Sequence, residues 1–69
     1  MDEQVLVRIA TNYAKQHGYD TDDYSVTSVL IKNGVCWILF QGKSGLPGDH
    51  FTVTVDISTG LASELFPGE

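Results

Sequence analysis

The run Val35-Cys36-Trp37-Ile38-Leu39-Phe40 is apolar on both faces of a strand. Side chains alternate along a strand, so Val35, Trp37 and Leu39 share one face and Cys36, Ile38 and Phe40 the other. Such a strand must be covered on both sides or present one side to a partner. The chain has 69 residues and reads as a single domain, residues 1–69. A domain this small buries only about 60% of the surface its unfolded chain exposes. Little material is left for a second covering layer, so this run favours a binding function.

The rest of the chain supplies the partners of that strand. Residues 2–17 carry Val5, Leu6, Ile9 and Tyr13 at spacings of three and four, which predicts one amphipathic helix. Asp2 and Glu3 suit its N-terminal end, Lys15 and His17 its C-terminal end, and Gly18 its stop. Arg8, Asn12, Lys15 and Gln16 form the polar face. An acidic loop over residues 19–23 leads to a β-rich run over 24–32. Asn33-Gly34, which follows, is a strong two-residue hairpin signal. Residues 35–41 are the antiparallel partner, and 42–49, with three glycines and a proline, form a loop. The next strand, 50–57, places Phe51, Val53, Val55 and Ile57 on one face and Thr52, Thr54 and Asp56 on the other. Ser58-Thr59-Gly60 turns the chain into a last strand over 61–66. The expected fold is α+β: one N-terminal helix packed on a four-stranded antiparallel β-meander. Its core is Val5, Leu6, Ile9 and Tyr13 against Phe51, Val53, Val55 and one face of 35–40.

Nine acidic residues stand against four basic ones, for a formal net charge of −5. That balance argues against nucleic-acid and anionic-membrane binding, both of which need Lys/Arg patches. It suits solubility and a basic protein partner steered by the field. A lone cysteine, Cys36, excludes an internal disulfide and reads as a small buried core residue. With one cysteine and no leader-like start, the expected compartment is the reducing cytoplasm; a processed export product would read the same and belong in the periplasm.

No motif for chemistry survives inspection. Gly42-Lys43-Ser44 suggests a phosphate loop, but Trp37 stands where that pattern needs its first glycine, and Gly45 and Pro47 where it needs a helix. Asp20, Asp22 and Asp23 resemble the start of a calcium loop without its central glycine and closing glutamate, so a turn-forming acidic cluster is the better account. His17, His50 and Cys36 lack metal-ligand spacing, and no nucleophile, base and oxyanion set can be assembled. The chain is therefore expected to be no enzyme and to need no metal and no cofactor.

The helix-then-strands order, Trp37-Ile-Leu-Phe40, Pro47-Gly48 and Val53-Thr-Val-Asp56-Ile-Ser-Thr-Gly60 resemble two small bacterial groups. One is the set of short immunity proteins with a cut-down cystatin-like (nuclear-transport-factor-like) fold. The other is the PepSY-type domain, with its strand ending in Val-Asp-x-x-Thr-Gly. The first resemblance implies a non-catalytic inhibitor that binds and neutralises a toxin protein. The second implies a regulatory or peptidase-binding module. A homodimeric structural domain is the third reading.

Topology places the recognition surface. In a meander, loops after alternate elements fall at the same end. The helix–strand loop and the 42–49 loop therefore share one rim, which gathers Asp20, Asp22, Asp23, Asp49 and His50 beside a flexible Lys43. Tyr24 and the loop tip Leu46 are the expected apolar anchors there, and Trp37 is the anchor if the open sheet face binds instead.

Overall fold

A computed structural model describes residues 2–68. The helix α1 (Glu3–Gln16) is followed by a short 3-10 helix (Thr21–Asp23) and four strands: β1 (Tyr24–Lys32), β2 (Val35–Gly42), β3 (His50–Asp56) and β4 (Leu61–Pro67). The strands form one antiparallel sheet in the order β1-β2-β3-β4. The protein is thus α+β, with α1 packed on one face of the meander. Among the described residues no helix is long and apolar enough to cross a membrane.

Both ends of α1 follow from local chemistry. Asp2 caps the start, its Oδ1 accepting from the Gln4 amide at 3.1 Å. Gly18, at φ +87°, ends it. The Gly18 amide donates to the Lys15 carbonyl and the Tyr19 amide to the Ala14 carbonyl, both at 3.1 Å. This pairing is a Schellman stop, which requires a residue at positive φ after the last turn. It also fixes Tyr19, whose ring packs on Phe51 with centroids 4.1 Å apart.

The core is narrower than the expected stripe. Leu6, Ala10 and Ala14, one turn apart, are the fully buried helix residues, and they face Cys36, Ile38, Phe40, Phe51, Val53 and Val55. Ile9 and Tyr13 flank this line half-buried, while Val5 is 36% exposed and lies outside it. The line is centred on alanines because small side chains let the helix backbone come close to the sheet. A reading weighted by hydrophobicity favours Val5 over Ala10 and so rotates the stripe. The sheet's inward face is the set containing Cys36, and Phe40 stacks on Phe51 with centroids 4.6 Å apart.

The turns match the residues that make them. Asn33 (φ +52°) and Gly34 (φ +76°) are both left-handed, as a type I′ hairpin requires. β3 stops at Asp56, one residue earlier than expected, because the Asp56 carboxylate begins the next turn. Its Oδ1 accepts from the Ser58 amide at 2.9 Å and the Ser58 hydroxyl at 2.7 Å. These bonds, the hydroxyl's foremost, hold the Asp56 pKa below its ordinary value. Ile57 follows in the turn and still packs against the core. Register shifts place an extra residue at Thr27 in β1 and at Ser63 in β4.

Leu6→Ala is expected to cost about 2–5 kcal/mol, the range for emptying a fully buried leucine site. Val5→Ala, at a largely solvated position, should cost less than about 1 kcal/mol. Urea unfolding of the two variants checks this order; equal losses would place the helix axis elsewhere.

Candidate functional site

The rim formed by the end of α1, the 3-10 helix and the 42–49 loop is an ordered structure. Asp20 caps the 3-10 helix, its Oδ1 accepting from the Asp22 amide at 3.2 Å. Lys43 ties the two loops together: its amide donates to the Asp23 carbonyl and its Nζ to the Asp22 carbonyl, each at 2.9 Å. The flexible Lys43 of the sequence reading is therefore a clasp. Its ammonium finds acceptors because the strand pairing sets Tyr24 opposite Gly42, bringing the two loops side by side.

Asp49 organises the glycine-rich loop. Its carboxylate accepts from the Ser44 hydroxyl, the Ser44 Oγ accepts from the Leu46 amide at 3.2 Å, and the Asp49 carbonyl accepts from the Gly42 amide at 2.7 Å. Gly42 has no room for a side chain, since a Cβ there would run into the Asp49 carboxyl and carbonyl. Across the rim, the Tyr24 phenol shares the cleft with the same carboxylate, and hydrogen bonding to it is the first cause that raises the Tyr24 pKa. The Asp49 pKa is lowered, first by the Ser44 hydroxyl and then by Tyr24. Asp49 is thus held as a carboxylate and Tyr24 as a neutral phenol.

Together these groups surround a cleft of about 440 Å3 lined by Gly18, Tyr19, Asp20, Asp23, Tyr24, Lys43, Ser44 and Asp49. Three carboxylates face one ammonium that is already engaged. The cleft's chemistry is that of a receptor for a positively charged side chain, with a phenol and aromatic edge beside it. Among the described residues no group of three or more His, Cys, Asp or Glu is placed to hold a metal ion.

The expected site residues fall into three groups. Asp20, Asp23, Tyr24, Lys43 and Asp49 line the cleft. Asp22 and Leu46 stand exposed on its outer edge, Leu46 at the loop tip. His50 is half-buried at the start of β3, where its carbonyl accepts from the Gly68 amide at 2.7 Å. Trp37 is not on the rim. It lies mid-strand on the face opposite α1, because its neighbours Cys36 and Ile38 take the helix side.

Sequence reasoning missed three residues. Tyr19 was readable as the position after a helix-stopping glycine, where contact back to the core is common. Ser44 went unremarked once the phosphate-loop pattern failed. Phe66 is the third: it stacks on Trp37, the rings 6.0 Å apart and 11° from parallel, with 42% and 39% of the two residues exposed. The pair comes from β2 and β4 and so meets above β3. Thr54 of β3 is accordingly buried, its Oγ1 bonded to the Ser63 Oγ at 2.8 Å.

Set beside known protein families, curated proteins and solved structures, the chain matches none of them. A functional reading rests on its own residues and geometry.

The pKa shifts have opposite consequences for stability. Asp49 has a lowered folded pKa, so its contribution is present above the ordinary carboxylate value and is lost as pH falls through the folded one. Tyr24 has a raised folded pKa, so its contribution is present below the ordinary phenol value and is lost as pH rises through the folded one. Carboxyl NMR titration should show the Asp49 midpoint rising in Tyr24→Phe and rising further in Ser44→Ala. A midpoint unmoved in both variants would remove Asp49 from its organising place.

Cys36 is fully buried, and burial, then the Glu3 carboxylate, push its pKa up. A thiol reagent is expected to label it only on the unfolding timescale. Immediate labelling of the native protein would show an accessible thiolate and reopen nucleophilic chemistry.

Proposed function

We propose that this domain is a non-enzymatic protein-binding module of the immunity type, which binds a basic toxin protein through its acidic rim and neutralises it by occlusion. The observation that carries the reading is the unequal use of the rim's acids. Asp20 caps a helix and Asp49 orders a loop. Among the described residues the Asp22 and Asp23 carboxylates accept no hydrogen bond, although their backbone is fixed by Lys43. Two ionised groups on an ordered, outward-facing edge are suited to steering a cationic partner and to meeting Lys or Arg side chains at contact. The net charge of −5 extends that field over the whole domain. The resemblance to immunity proteins points the same way. The PepSY-like regulatory or peptidase-binding module is the alternative reading; its Asp56–Gly60 segment forms a turn in which the Gly60 amide donates to the Asp56 carbonyl at 2.8 Å, with Gly60 at φ +71°.

The test starts from a partner captured on the immobilised domain from native lysate. Equimolar domain is expected to abolish the partner's activity. Asp22→Asn with Asp23→Asn should slow association by about tenfold at low salt and flatten its salt dependence, leaving the melting temperature unchanged. Unchanged association rates would move the contact to the sheet face around Trp37. A partner that binds and keeps full activity would remove the inhibitor reading.

A further inference from the structure

The sheet has two edges of different character. β4 is blunted: it carries the Ser63 bulge, the charged Glu64 in mid-strand and Pro67, which has no amide hydrogen to offer. β1 has a bulge of its own at Thr27, but from Ser28 to Ile31 it carries no bulge, charge or proline. It pairs with β2 in unbroken register from Ser28 to Lys32, and its first charge after Asp23 is Lys32. On its outer side no strand pairs with it, and among the described residues no hydrogen bond reaches its outward backbone groups.

The side chains of β1 identify the shape of what is missing. Leu30 and Ile31 are adjacent, so they project to opposite faces of the sheet, and each is 56% exposed. α1 lies mainly over β3 and β4 and does not shield Ile31. A partner resting on either face would cover one of the two. A strand alongside covers both and satisfies the outward amides and carbonyls as well.

We infer that β1 pairs antiparallel, about a two-fold axis, with β1 of a second copy of this chain. Charge selects the occupant and its direction. Asp22 and Asp23, in the 3-10 helix, stand just before the strand begins, and Lys32 ends it. Antiparallel pairing runs the Lys32 end of each copy toward the acidic end of the other, twice by symmetry. Parallel pairing sets acid beside acid, in a chain already at −5. The helices, lying over β3 and β4, stay clear of the new seam. The four-stranded sheet is doubled, and the Leu30–Trp37 patches of the two copies join on the open face.

Both this inference and the toxin-binding reading use Asp22 and Asp23, but Leu30 and Ile31 lie outside the rim, so variants there test the dimer alone. Sedimentation equilibrium between about 1 and 500 μM, a span that covers micromolar self-association, should give a mass rising to twice that of the chain. Leu30→Lys with Ile31→Lys should weaken dimerisation at least about tenfold with unchanged circular dichroism, and Lys32→Glu should weaken it in a salt-dependent way. Hydrogen exchange on the unmodified protein gives a second readout: alternate amides of β1 should gain protection as concentration rises. A monomer throughout, or a dimer whose strength ignores the β1 variants and whose β1 amides exchange alike at all concentrations, would overturn the inference.

Discussion

One helix has to shelter four strands, and it cannot. A helix of 14 residues is about 21 Å long and about 10 Å across, while neighbouring strands lie about 4.8 Å apart. Its footprint therefore covers about two strands of one face. In this protein it falls mainly on β3 and β4, and the consequences spread outward from there. The inward side chains of β3 and of the β2 strand beside it are buried without remainder, whereas the β1 residues Val26, Leu30 and Ile31 stay exposed. The far face has no helix at all. The stacked Trp37 and Phe66 cover Thr54 in its place, a local cap made by the sheet for itself. Both exposed surfaces are thus products of scarcity of chain rather than accidents of a few apolar residues.

Phe51 links that core to the rim. It is fully buried at the end of the sheet, with Phe40 stacked on one side, Tyr19 at 4.1 Å and Tyr24 at 4.9 Å between centroids. Tyr19 fixes the chain leaving α1, and Tyr24 fixes the chain entering β1. The acidic segment between them is consequently pinned at both ends, and Lys43 binds it to the second loop. Ordering beforehand matters for recognition, because a loop already in its bound shape loses less entropy on association. The aromatic cluster and the acidic edge belong to one device, with burial beneath and charge above.

The elements were legible because their signals are local. Asp2 and Gly18 bracket the helix, Asn33-Gly34 forces the hairpin, and alternation marks β3; the strand order then follows from short connections. The rim's membership was also legible, as a matter of meander topology. What escaped was everything decided by distance across the fold. The helix stripe was drawn through Val5 because hydrophobicity was visible and close approach was not; Ala10 and Ala14 matter by being small. Lys43 appeared free because the Asp22 carbonyl that its ammonium binds lies 21 residues away in sequence. Phe66 looked like the end of a short strand, since its stacking on Trp37 exists only once β3 is laid between them.

The two ends of the sheet differ in how many of their carboxylates the local structure uses. At the hairpin end, the Asp56 carboxylate serves its own turn, its Oδ1 accepting from the amide and hydroxyl of Ser58 while the Asp56 carbonyl accepts from the Gly60 amide. At the rim end, Asp20 and Asp49 are used similarly, for a cap and a loop. Asp22 and Asp23 remain. They stand on the same rim as Asp20 and Asp49, and among the described residues their own carboxylates accept no hydrogen bond. Carboxylates that make no hydrogen bond of their own, on a segment that Lys43 and the aromatic cluster hold in place, are the residues on which the proposed contact with a cationic partner rests.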